Sequence, residues 1–213
     1  MNKAQSDDLA SELAYVRSLA EEGATAPLIG GFYYLLWGGL TSAAAFFVYA
    51  IAIGVLPAAP TGYFLPWIVA GVIAWVGSIM WGRRASSKPG AMTLGNQTAL
   101  SVWFAVGVFM TMLWIALLFV HDDFTHFGVP ENFLFSLMFP VAFGVYGVAF
   151  FATATAAKQP WLRWFAYLAW GFSIVSLFLL GNPHQFLAGG LGCALTAALP
   201  GALLMRREPG DIV

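Results

Sequence analysis

The sequence is short of charge and of cysteine. Charged residues make up 9% of the chain and hydrophobic ones 60%, whereas a soluble domain averages about a quarter charged and half apolar. A water-soluble globule is thereby excluded, and the mean hydropathy of +0.79 points to a membrane protein. Cys193 is the one cysteine, so an intramolecular disulfide is impossible and cysteine usage says nothing of redox compartment. The first 26 residues lack the basic-then-apolar order of a cleavable signal, and no glycine follows Met1 for acylation. An uncleaved first span is therefore expected to direct insertion.

Six apolar stretches, near residues 28–55, 64–82, 98–120, 133–157, 164–180 and 186–205, approach the roughly 17 to 25 residues that a helix needs to cross a bilayer. The fold class expected is all-α and polytopic, with six transmembrane helices in three in-out-in hairpins. Lipid offers no partner to an open sheet edge, so helices are the natural solution. All nine basic residues (Lys3, Arg17, Arg83, Arg84, Lys88, Lys158, Arg163, Arg206 and Arg207) fall before span 1, after spans 2, 4 and 6, or in the same-side links. By the positive-inside rule that side is cytoplasmic, with both termini inside. The organisation expected is a cytoplasmic N-terminal helix within 1–26, a transmembrane domain over 27–207 and a short tail at 208–213.

One word recurs. FYYLLWG runs from Phe32 to Gly38 and FAYLAWG from Phe165 to Gly171, each with a proline five residues upstream, Pro27 and Pro160. Aromatic residues gather at interfaces and proline at helix starts, so convergence is one explanation; duplication of a hairpin is the other. Partner spans favour duplication. Ala70, Ala74, Ser78 and Gly82 recur at four-residue spacing before Arg83 and Arg84, as do Gly189, Cys193, Ala197 and Gly201 before Arg206 and Arg207. Such stripes let another backbone come close, and the duplication predicts that both do.

Chemistry-bearing residues are few. His121, Asp122, Asp123 and His126, with His184 in the last outer loop, carry the imidazole and carboxylate groups of a transition-metal site, but they also suit a solvated loop, and no metal is expected. No ionisable residue lies inside a predicted span, which disfavours a buried-carboxylate proton or sodium pathway. Thr41, Ser42, Ser101, Thr111, Ser136, Thr153, Ser173, Ser176 and Thr196 could line a neutral path or simply bond to helix backbones. Pro140 and Pro200 should kink their spans. With no triad, phosphate loop or intramembrane metal motif, neither an enzyme nor a cofactor is expected.

Residues 6–23, SDDLASELAYVRSLAEEG, read as an amphipathic cytoplasmic helix capped by Ser6 and ended by Gly23. Its acidic polar face suits a protein partner, or the underside of the bundle, better than anionic lipid. Leu13 to Phe32, LAYVRSLAEEGATAPLIGGF, followed by a Trp-Gly helix, resembles the start of an uncharacterised six-helix family of proteobacterial inner-membrane proteins. That resemblance implies a bacterial inner membrane and no particular activity. The six-span plan with Ala26, Pro27 and Leu28 just before the first span is also similar to the acetate and succinate channel family, and implies no site residues. The expected function is a non-enzymatic accessory or regulatory membrane component, with lipid around it, a protein partner through 6–23, no nucleic acid, and self-association left open. The alternative is a passive channel or facilitator for a small solute.

Overall fold

The computed structural model describes residues 12–15, 27–59, 61–88, 90–126, 128 and 131–208, with side chains at 121–125, 131 and 132 left aside. These residues are all-helical: α1 (Gly31–Ala52), α2 (Leu65–Ser86), α3 (Leu94–Thr125), α4 (Glu131–Ser136), α5 (Met138–Ala156), α6 (Leu162–Phe178), α7 (His184–Cys193), a π-helical turn (Ala194–Ala198) and α8 (Leu199–Met205). Five segments, Gly31–Ala52, Leu65–Ser86, Leu94–Val120, Phe133–Ala156 and His184–Met205, are long and apolar enough to cross a membrane. The apolar α6 has 17 residues, about 26 Å of rise against a hydrocarbon core of about 30 Å.

Consecutive long helices run antiparallel, as side-chain contacts between their ends establish. At one end the Asn96 carboxamide accepts from the Ile29 N–H at 2.8 Å and donates to the Pro27 carbonyl at 3.1 Å. There too Gly95 lies against Ala157, and the Arg207 guanidinium sits 4.9 Å from the Trp161 ring centroid. At the other end the Tyr49 and His184 rings are 5.7 Å apart, Phe64 meets Phe135 at 5.3 Å, and the Gln185 amide donates to the Ser136 carbonyl at 2.7 Å. The described helices therefore pair antiparallel as α1–α2, α3–α5 and α6–α8, with α6 shorter than the five segments long enough to cross a membrane. Arg83, Arg84, Lys88, Lys158, Arg163, Arg206 and Arg207 share one end, as the charge pattern requires.

Both prolines mark irregularities, each with its own remedy. A break at Leu137 separates α4 from α5 and puts Pro140 in the first turn of the new helix, where its missing N–H leaves no bond unmade. The Ser173 hydroxyl of α6 donates to the Pro140 carbonyl at 2.7 Å. Ahead of Pro200 the backbone widens into the π turn, in which the Leu199 N–H reaches back to the Ala194 carbonyl. Widening there gives the proline ring room where an α-helix would clash. The Thr196 hydroxyl, fully buried, donates to the Gly192 carbonyl at 2.7 Å.

Helix α3 runs further than the loop expected at His121. Its backbone stays helical through Thr125, because HDDFT contains no glycine or proline. Gly128, at φ 80°, takes the left-handed conformation that glycine tolerates best.

A candidate membrane cleft

The α7–α8 segment lies along α1 at very short range. A side chain on Gly31 would sit 2.6 Å from the Gly201 carbonyl oxygen and the Met205 nitrogen, and one on Gly38 would run into the Ala198 nitrogen and the Ala197 side chain. The Ser42 hydroxyl of α1 crosses to the Gly190 carbonyl at 2.8 Å. Beside this pair, Phe143 and Phe150 are wholly buried. Trp103 on α3 donates its indole N–H to Thr153 on α5 at 3.2 Å. Rings fill the middle of the bundle.

The two small-residue stripes can now be placed. Ala70 and Ala74 are buried, and Ser78 accepts the Trp37 indole N–H at 3.0 Å. Gly82 lies beside the Tyr33 hydroxyl, so this stripe is turned to α1. In the last pass Ala197 and Gly201 also meet α1, while Gly189 faces the Phe139 ring and Cys193 is buried. The repeated word meets different surroundings at its two sites. Tyr34 is buried against Trp103 and Phe150, yet Tyr167 is half-exposed. Trp37 bonds to the next helix in its hairpin, whereas Trp170 donates to Gly144 on α5, the helix before it.

Polar side chains in the passes are scattered, and most are answered by helix backbone. Thr41 donates to the Trp37 carbonyl, Thr111 to Gly107, Ser42 to Gly190 and Thr196 to Gly192. Gln185, 2% exposed, donates to the Ser136 and Ser176 carbonyls. Serine and threonine in membrane helices ordinarily make such bonds. Thr41, Ser78, Thr111, Ser136 and Gln185 nonetheless line one common cavity.

What the bundle does possess is a cleft. Helix α2 packs chiefly on α1 and α3 chiefly on α5, leaving between them a cavity of about 1250 Å³. Its lining runs from Gly30 and Tyr33 at the basic end to Tyr63, Phe64 and Asn182 at the other, so it spans the depth of the bundle. Trp37, Trp67, Trp75, Trp103 and Trp114 contribute to its walls, five of the chain's nine tryptophans. Gly71 and Gly107 also line it, and a side chain added at either would meet nothing within 4 Å.

At the basic end a charged latch closes the bundle. Lys88 and Glu208 pair at 2.7 Å with side chains 9% and 4% exposed. The second Glu208 oxygen accepts the Gly30 and Gly31 N–H groups at 2.9 and 2.7 Å. A carboxylate there answers two of the free N–H groups at the start of α1 and complements the helix dipole.

The metal candidates are not all in view. His121, Asp122 and Asp123 have side chains outside the described residues, while His126 is exposed. His184 has its Nδ1 2.9 Å from the Asn182 side-chain oxygen. Among the described residues no three His, Cys, Asp or Glu side chains gather as metal ligands. Comparison with protein-family models, characterised proteins and solved structures finds no match to the chain.

Proposed function

We propose that this is a non-enzymatic accessory or regulatory protein of the bacterial inner membrane, its basic end in the cytoplasm and its N-terminal helix, residues 6–23, available to a partner. The observation that carries the reading is the interior itself: most of its polar groups are bonded to helix backbone, and the cavity beside them is walled mainly by apolar and aromatic side chains, which suit a hydrated solute poorly. Glu12 to Tyr15, the described part of that N-terminal segment, are helical and exposed, which suits contact beyond the bundle. A flux assay tests the role. Purified protein in liposomes should pass acetate, succinate or glycerol no faster than empty vesicles, and a protein-dependent flux that rises with protein-to-lipid ratio would overturn the accessory reading in favour of a facilitator.

The orientation has its own measurement. Seven of the nine basic residues, Arg83, Arg84, Lys88, Lys158, Arg163, Arg206 and Arg207, belong to one end of the bundle, and basic loops are retained in the cytoplasm. In a Cys193→Ala background, an impermeant thiol reagent added to intact cells should modify Tyr63→Cys and His184→Cys but leave Ser87→Cys and Lys158→Cys unmodified. All four positions are exposed in the fold, so protection reports the membrane. Labelling at 87 without labelling at 184 would invert the topology.

A further inference from the structure

We propose that the cleft between α2 and α3 is a lipid site: it takes the acyl chains of one anionic phospholipid, with the headgroup phosphate at the basic end beside Arg83. Its size argues for this occupant. A crossing helix about 10 Å wide and 30 Å long encloses roughly 2400 Å³, about twice the cavity of about 1250 Å³. Typical small-molecule pockets, at roughly 300 to 1000 Å³, are smaller and do not run the depth of a bilayer. A long, flexible apolar chain fits a slot that is open to the side between two helices and walled by rings.

Charge completes the match. On α2 the cleft is lined by Ile68, Val72 and Val76, and the same helical face continues seven residues past Val76 to Arg83. Arg83 is exposed and has no carboxylate partner among the described residues, since the ion pair at that end joins Lys88 to Glu208. Tyr33, which lines the slot, has its hydroxyl beside Gly82, the residue preceding Arg83, so the basic end of the slot lies close to the Arg83 guanidinium. Basic groups at the inner end of intermembrane-helix pockets are a recognised means of holding anionic headgroups.

This inference depends on placement in a bilayer and not on the accessory role, and its test is independent of flux. The protein is reconstituted in vesicles of equal phosphatidylglycerol and phosphatidylethanolamine, extracted into mild detergent and weighed by native mass spectrometry. Wild type should retain one phospholipid, predominantly phosphatidylglycerol. Gly71→Phe with Gly107→Phe, which fills open space on both walls, should cut the bound fraction at least tenfold while the helical circular-dichroism signal persists. Arg83→Gln, which leaves the slot intact, should keep a lipid adduct but lose the preference for phosphatidylglycerol. A wild type without lipid, an undiminished adduct in the filled variant, or an unchanged preference in Arg83→Gln would each overturn the proposal. So would a wild-type dimer abolished by the filling substitutions, which would make the occupant a second copy of the chain.

Discussion

Glu208→Ala is expected to be among the most destabilising single substitutions in this protein, although it falls only five residues from the end of the sequence. Three groups depend on that carboxylate: the Lys88 ammonium and the N–H groups of Gly30 and Gly31. Removing one member of a buried ion pair leaves the other charge without compensation and typically costs about 3 to 5 kcal/mol. Each orphaned backbone donor adds to this, less if water reaches it. Glu208→Gln should be milder, since its amide oxygen still accepts from α1. The double variant Lys88→Met with Glu208→Gln should recover much of the loss, because no unpaired charge stays behind. Thermal unfolding in detergent, followed by circular dichroism, checks the order. A Glu208→Ala protein as stable as wild type would mean that the latch does not close the bundle.

That latch was not legible in the sequence, for a physical reason. The sequence reading assigns Glu208 to a short tail, and no local pattern distinguishes it from any other polar residue after a span. Its importance arises from pairing with Lys88 and the α1 start, more than a hundred positions away. Asn96 escaped in the same way: nothing in the sequence marks it, yet it ties the Pro27–Ile29 segment to the start of α3. The long apolar helices, by contrast, were legible, because hydropathy acts through the solvent and needs no knowledge of neighbours.

The cleft lies between these cases. Of the small-residue stripes, Gly201 lies against the α1 backbone, whereas Ser78 and Gly82 of the α2 stripe meet the side chains of Trp37 and Tyr33. Nothing in the spacing of apolar residues says that α2 and α3, consecutive and joined by a short link, will stand apart. Trp67, Trp75, Trp103 and Trp114, which no sequence pattern singles out, line the space between them. Whether an aromatic residue faces lipid, core or cleft depends on the order in which helices pack, and hydropathy does not encode that order.

The repeated word supplies the sharpest remaining test, since its two closing glycines should respond to one substitution with opposite signs. At Gly38 an added methyl group would run into the Ala198 backbone nitrogen and the Ala197 side chain, where neither helix can yield by turning a rotamer. Gly38→Ala must therefore push α1 from the π turn and weaken the Ser42 bond to Gly190. Overpacking of this kind typically costs about 1 to 3 kcal/mol, more at backbone contacts than where a flexible side chain can move. At Gly171 the same methyl group meets nothing within 4 Å, and alanine is favoured over glycine in a helix interior by up to about 1 kcal/mol. Gly38→Ala should lower the unfolding temperature in detergent and Gly171→Ala should leave it unchanged or raise it. The stripes extend the argument: Ala197→Leu, against Gly38, should be at least as damaging as Ala74→Leu, which is wholly buried in the α2 stripe turned to α1. Equal losses at Gly38 and Gly171 would mean that both copies meet a close backbone, as a duplicated unit keeping its original packing requires. Opposite signs would leave FYYLLWG as the helix-crossing word and FAYLAWG as its look-alike on a roomier face.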